Sequence, residues 1–176
     1  ELVKHEDIAK LAGATAGASV TLHAGEYDSL EVHVEHPDYR AKRILSRDDD
    51  NNLRIHNDSL DVYSTGKGLG TSLFTQQVDQ AIKMGVVQIE TVAAGGPGQS
   101  KNGYYTWPRL GYDAHLEKAD NVPVRFNASA VSDLMKTKDG RDWWKANGSA
   151  KDMVFDLSED SLSRKVLDAY VSGKKK

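Results

Sequence analysis

Leu60-Asp61-Val62-Tyr63-Ser64-Thr65-Gly66-Lys67-Gly68-Leu69-Gly70-Thr71 is the stretch on which the fold turns. It leaves an extended run, passes through three glycines at alternate positions and enters a helical pattern. From Leu69 onward the apolar residues Leu73, Phe74, Val78, Ala81 and Ile82 share one stripe, while Ser72, Gln76, Asp79, Gln80 and Lys83 cover the other. Gly85 stands where such a helix would stop. Val86 to Ala93 then forms a β-rich run with Val87, Ile89, Thr91 and Ala93 on one side. Strand, glycine turn, helix and strand in that order imply a parallel strand pair. A helix start exposes unpaired amides and the positive end of its dipole, and glycine lets an anion approach them without a β-carbon in the way. The turn therefore reads as a cradle for a pyrophosphate. It is neither a Walker loop, which needs Gly-Lys-Ser/Thr after four intervening residues, nor a Rossmann fingerprint, whose glycines are spaced differently.

Upstream, the hydrophobic period is two. Val20 and Leu22, then Leu30, Val32 and Val34 among Glu31, His33 and Glu35, predict strands with one buried face, joined by a turn at Gly25-Glu26. A third extended run, Tyr39 to Ser46, is parted from a fourth, Leu53 to His56, by Asp48-Asp49-Asp50-Asn51-Asn52, whose side chains favour turns. Together they predict an antiparallel meander, preceded by a short amphipathic helix within Leu2 to Leu11. Downstream, Gly95-Gly96-Pro97-Gly98 is a break, Asn102 to Leu110 reads as a short helix with Pro108 inside it, and Tyr112 to Glu117 as a further strand. Ser129 to Asn147 carries helical segments broken near Asp139-Gly140, Met153 to Leu157 alternates like a last strand, and Ser161 to Val171 closes the chain as an amphipathic helix. The expected fold is α/β, with a mixed, mostly antiparallel sheet holding a central parallel pair, which would be splayed if the resemblance given below holds, and flanked by helices.

Composition narrows the classes of function. A chain of 176 residues suits a single domain, and 39% hydrophobic with 28% charged residues fits a globular protein. No run approaches the roughly 20 apolar residues of a membrane-spanning helix, so no membrane is expected as partner. Net charge is −3 and basic residues cluster only at Lys174-Lys175-Lys176, which argues against nucleic acid. With no cysteine there is no disulfide framework and no thiolate chemistry, and a cytoplasmic setting is expected. The first residue is Glu1 rather than Met, so a processed chain or part of a larger one is expected.

The run Thr65-Gly66-Lys67-Gly68-Leu69-Gly70-Thr71 resembles the acyl-CoA-binding loop of the GNAT superfamily of N-acetyltransferases. The resemblance extends over about residues 17 to 117, because an antiparallel meander leads to the loop, and Asn102, Leu110, Gly111 and Tyr112 match a later helix that starts near an Asn and ends before a Gly-aromatic pair. Residues from about 120 to 176 would be an addition to that core within one domain. The resemblance implies acetyl-CoA or another acyl-CoA, with its pyrophosphate on the amides of Gly66, Lys67, Gly68, Leu69, Gly70 and Thr71. Thr65 would open the loop, the pantetheine arm would pair with backbone near Leu60 and Val62, and Asn102 would lie near the arm. It implies a transferase that moves the acyl group directly to an amine of a small molecule or peptide. Two positions depart from the family pattern: Thr65 stands where Arg or Gln is usual, and Trp107 where a Tyr often protonates the departing thiolate. Tyr105, or Tyr104, is then the candidate acid, since a phenol can donate a proton to a thiolate. The alternative expectation is a GNAT-like domain without turnover, serving as a structural or interaction module of a larger, viral or multidomain protein.

For the proton of the attacking amine in such a fold the candidates are His56, which ends the strand that leads toward the glycine turn, and Glu35 acting through water. His33 and Glu35 share one face of their strand, but two groups do not complete a metal coordination shell, and no metal is expected. Asp48-Asp49-Asp50 lacks the later Glu of a calcium loop and reads as a solvated hairpin. Trp143-Trp144 presents a large apolar surface, whose commonest use is to cover a sheet.

Overall fold

The computed structural model describes residues 4–63 and 66–174. Expectations resting on Leu2, Thr65 and the two final lysines lie outside the described residues. The elements are α1 (His5–Leu11), β1 (Ser19–Ala24), β2 (Leu30–His36), β3 (Tyr39–Arg47), β4 (Leu53–Val62), α2 (Leu69–Lys83), β5 (Gln88–Ala93), α3 (Gly103–Arg109), α4 (Val131–Met135), α5 (Lys138–Asn147), β6 (Lys151–Asp156) and α6 (Leu162–Lys174). The architecture is α/β: strands in the order β1-β2-β3-β4-β5-β6 make a mixed sheet, mostly antiparallel with one parallel pair, flanked by helices. No helix among the described residues is long and apolar enough to cross a membrane. The chain divides into two compact units, Glu1–Ile89 and Glu90–Lys176, with the division falling inside β5.

In the first unit, β1 to β4 form the antiparallel meander that the alternating pattern predicts. Val32 and Val34 of β2 stand opposite Arg43 and Ala41 of β3, and Leu45 opposite Ile55 of β4, so one face is almost wholly enclosed. Leu11 of α1 and Leu73, Phe74, Val78 and Ala81 of α2 complete that core. The opposite face carries Glu31, His33, Glu35, Arg40 and Lys42, whose charges remain solvated as the period of two requires. The amide of Val87 donates to the carbonyl of Leu53 at 3.2 Å, so β5 starts where β4 starts, as the helical crossover through α2 demands.

Two buried polar contacts fasten the helices of this unit. Gln77 of α2, fully buried, donates from Nε2 to the carbonyl of Leu11 (3.0 Å) and to Asn57 Oδ1 (3.0 Å), and accepts from Asn57 Nδ2 at 2.8 Å. The Tyr39 hydroxyl donates to the carbonyl of Gly13 and accepts from the amide of Thr15, both at 3.0 Å. Each group has found a partner, which is the condition for burying polar atoms without a net cost.

The second unit packs around Trp144, Tyr112, Phe155, Leu134 and Met153. Trp107, Tyr112 and Phe155 meet edge to face at centroid distances of 5.4 and 5.6 Å, and the Trp144 indole donates to the carbonyl of Tyr104 at 2.8 Å. Trp144 is thus a core residue, while Trp143 lies half-buried beside Phe126. Gly111, with φ of 103°, sits where a β-carbon would come within 2.3 Å of the Ser163 carbonyl of α6; only glycine permits that approach.

Two expectations for this unit are corrected. Tyr112 to Glu117 is not a strand: it makes single bridges, Asp113 to Val154 and His115 to Ala130, because the chain turns away from β6 after one residue pair. The helical break lies at Lys136-Thr137 rather than near Asp139-Gly140. Thr137 caps α5 by accepting from the Gly140 amide at 3.0 Å, and Gly140 lies within the helix where a β-carbon would meet the Leu134 carbonyl. Pro108 does lie inside α3, and β4 is longer than the Leu53 to His56 run, reaching Val62.

Candidate functional site

The glycine turn joins the end of β4 to the start of α2, all within the first unit. Gly66 and Gly68 have φ of 84° and 75°, a left-handed conformation that a β-carbon at either position would disfavour. Gly68 is the capping residue of α2, and it offers no side chain to the helix amides. The first turn of α2 also contains no acidic residue, so nothing of the helix's own offsets the positive end of its dipole. Gly66, Lys67 and Gly68 are exposed, and among the described residues beyond its chain neighbours a β-carbon built on Gly66 or Gly68 would touch nothing within 4 Å. Among the described residues the result is an open helix start without a side-chain cap, with a lysine beside it.

Gly70 is a different case. It lies inside α2 without a positive φ, and a β-carbon there would meet only Val62 Cγ2 at 3.8 Å, an ordinary contact. Among the described residues, neither backbone conformation nor packing requires glycine at this position. Alanine would favour the helix by roughly 1 kcal/mol.

β4 brings a second feature. Lys42 pairs with Ser59 and Arg43 with Asn57, so Asp58 is an extra residue, a β-bulge. The bulge reverses which side chains face the helices: Ile55 and Asn57 do so before it, Leu60 and Val62 after it. Arg43, buried among the helix-facing residues, donates from Nη1 to the Ser59 carbonyl at 2.5 Å and to the Lys42 carbonyl at 3.0 Å, holding the irregular backbone. Lys42 Nζ lies 4.0 Å from Asp58 and 3.3 Å from Glu31, and Arg40 pairs with Asp61 at 2.8 Å. The bulge escaped the sequence reading, although the apolar positions carry its signature: odd numbers at Leu53 and Ile55, even numbers at Leu60 and Val62.

The strand register separates the two candidate bases. Glu35 pairs with Arg40, which pairs with Asp61, so Glu35 lies level with the loop end of β4. His56 pairs with Ile44, four residues along β3 from Arg40, which at about 3.3 Å per residue is roughly 13 Å away along the strand. Both project from the charged face, but they are not brought together. Among the described residues no cluster of three or more His, Cys, Asp or Glu side chains is arranged to hold a metal.

Asn102 and Tyr105 belong to the second unit. Asn102 is the exposed residue before α3, bridged to Gly95, and makes no side-chain cap. Tyr104 and Tyr105 have opposite fates. The Tyr104 hydroxyl is committed, donating to the Lys145 carbonyl at 2.6 Å, and burial raises its pKa above the ordinary phenol value. Tyr105 is half-buried, with the Arg109 guanidinium 5.5 Å and the Lys145 ammonium 5.7 Å from its ring centre.

No family model matches the chain, and no curated protein matches it at significant similarity.

Proposed function

We propose that the chain is an N-acyltransferase of the GNAT type, which binds acetyl-CoA or another acyl-CoA on Gly66 to Thr71 and passes the acyl group to an amine of a small molecule or peptide. The observation that carries this reading is Gly70. Gly66 and Gly68 are explained by backbone conformation, whereas Gly70 is left without a reason among the described residues. A phosphate resting against the first turn of α2 supplies that reason, because a methyl group there would stand between ligand and amides. The uncapped helix start and Lys67 fit two phosphates in charge as well as in shape.

Acyl-CoA supplies a thioester already activated toward amines. The residues of the chain are left with holding, orienting and moving protons. Gly66 to Thr71 would hold the pyrophosphate, and the backbone at Leu60 and Val62 would pair with the pantetheine arm. Glu35, level with that end of β4, takes the amine proton through water; His56 serves if the acceptor reaches back along β4. Tyr105 is the proton donor for the departing thiolate, since the Tyr104 hydroxyl is committed to Lys145.

Trp107 favours a second reading. The position from which the family commonly donates that proton holds an indole packed against Tyr112, which suits a domain that keeps the fold and has given up turnover. Calorimetry with acetyl-CoA and with CoA tests the binding step that both outcomes share. Saturable binding is expected, and Gly68→Asp, which adds a side chain and a negative charge at the helix start, weakens it by at least about tenfold. No heat of binding at millimolar acetyl-CoA would sink the proposal. Binding without turnover on any amine panel leaves the second reading standing.

A further inference from the structure

We propose that the second unit carries a separate binding site for a small carboxylate with an apolar body, in the cavity that α6 forms with α3, α4 and the chain after α3. The cavity measures about 350 Å³, at the lower end of the roughly 300–1,000 Å³ of small-molecule sites. It lies wholly within Glu90–Lys176 and does not depend on the acyl-CoA reading.

One wall is a face of α6: Leu162, Val166, Ala169 and Tyr170 recur at helical spacing and line the cavity, while Leu167 turns into the core. Leu162 keeps 49% of its surface exposed, so this stripe is not covered by the described chain. Pro108, Tyr112 and Met135 provide apolar surface on the other elements. Such walls give a bare anion or a hydrated cation little to hold, but they suit an aryl or branched alkyl group.

The charged lining decides what that group carries. Four charged residues reach the cavity, and two are already engaged. Asp113, the single acid, accepts from the amides of Ala114 and Ser132, each at 2.9 Å, and from the Ser132 hydroxyl at 2.6 Å. Lys136 lies 2.7 Å from Asp133. Arg141 spends one nitrogen on the Met135 carbonyl at 2.7 Å, and Arg109 rests on the rings of Tyr105 and Tyr170 at 5.5 and 5.3 Å. Neither arginine makes an ion pair among the described residues. Two positioned guanidinium groups with donors to spare, beside an apolar hollow, match a carboxylate fork on an apolar body.

The probes are 3-phenylpropionate, its uncharged amide and 2-phenylethylamine, titrated into the whole chain and followed by amide chemical shifts. The acid is expected to bind saturably with shifts confined to the cavity, the amide about tenfold more weakly, and the amine not at all. Arg141→Gln and Arg109→Gln should each weaken the acid by about tenfold and leave the amide unchanged. Ala169→Trp, at an exposed position on α6, should fill the hollow and block both acid and amide. Acid and amide binding equally, binding that survives Ala169→Trp, or absence of saturable shifts at millimolar acid would each overturn the assignment. Should Ala169→Trp fail to fold, the two arginine variants decide alone, since Arg109 is exposed and Arg141 only half-buried.

Discussion

Two glycines with opposite surroundings predict opposite outcomes for the same substitution. Gly70→Ala adds a methyl group that meets only Val62 at 3.8 Å in a helical backbone, so the unfolding free energy should rise by about 0.5–1 kcal/mol. If Gly70 is kept for a phosphate, the same variant should bind acetyl-CoA more weakly, so a calorimeter and a urea titration would move in contrary directions. Gly111→Ala puts a β-carbon 2.3 Å from the Ser163 carbonyl at φ of 103°, and should cost about 3 kcal/mol or more, visible as a lowered midpoint or as failure to fold. Asp133 is a third single residue with a measurable signature. Its carboxyl is held down to about 2 by Lys136 and by the amides of Ser129 and Ala130. A lowered folded pKa contributes stability above the unfolded value, near 3.8, and that contribution is lost as pH falls toward 2. With Lys136 62% exposed the effect is about 1–2 kcal/mol, and Asp133→Asn should abolish that part of the pH dependence between pH 5 and 2.

Among the elements, α2 matters most, because its first turn is the proposed ligand cradle and its third turn carries Gln77. Gln77→Leu keeps the volume but removes both amide contacts with Asn57 and leaves the Leu11 carbonyl buried without this donor. It should lower stability by about 2–3 kcal/mol in chemical denaturation, while Gln80→Ala on the same helix, whose contact with Asp7 is a single 3.3 Å bond, should change it by less than about 1. α2 itself was legible in the sequence, down to Gly85 after its end, because fifteen residues of amphipathic stripe average out local exceptions. The β4 bulge and the break between α4 and α5 were not. A bulge is one residue of phase slip inside a strand whose two halves each alternate correctly. The glycine at 140 looked like a stop in sequence, whereas it serves the close approach of the Leu134 carbonyl.

For the whole molecule, charge was decided by composition. With a net charge of −3 and an isoelectric point near 6.1, turbidity measured across pH should peak close to pH 6, where repulsion between copies vanishes. The α/β class and the meander were equally open to reading, since periods of two and of three and a half are local consequences of which face each element buries. The strand–turn–helix passage at Val62 to Leu69 was visible for the same reason: glycines and apolar spacing are chain-local facts. Pairing partners are not. Which residue of β4 stands opposite which of β3 separates Glu35 from His56, and no pattern along the chain encodes a distance across it. Folding alone commits the Tyr104 hydroxyl to a carbonyl forty-one residues away and leaves its neighbour Tyr105 with two cations over its ring. It also leaves Gly70 without a packing reason among the described residues, where a methyl group would meet Val62 Cγ2 at an ordinary 3.8 Å. Local backbone preference and hydrophobic period act over a few residues, so the sequence carried the elements; contacts between residues far apart exist only once those elements pack, so the tertiary structure decided which side chains meet.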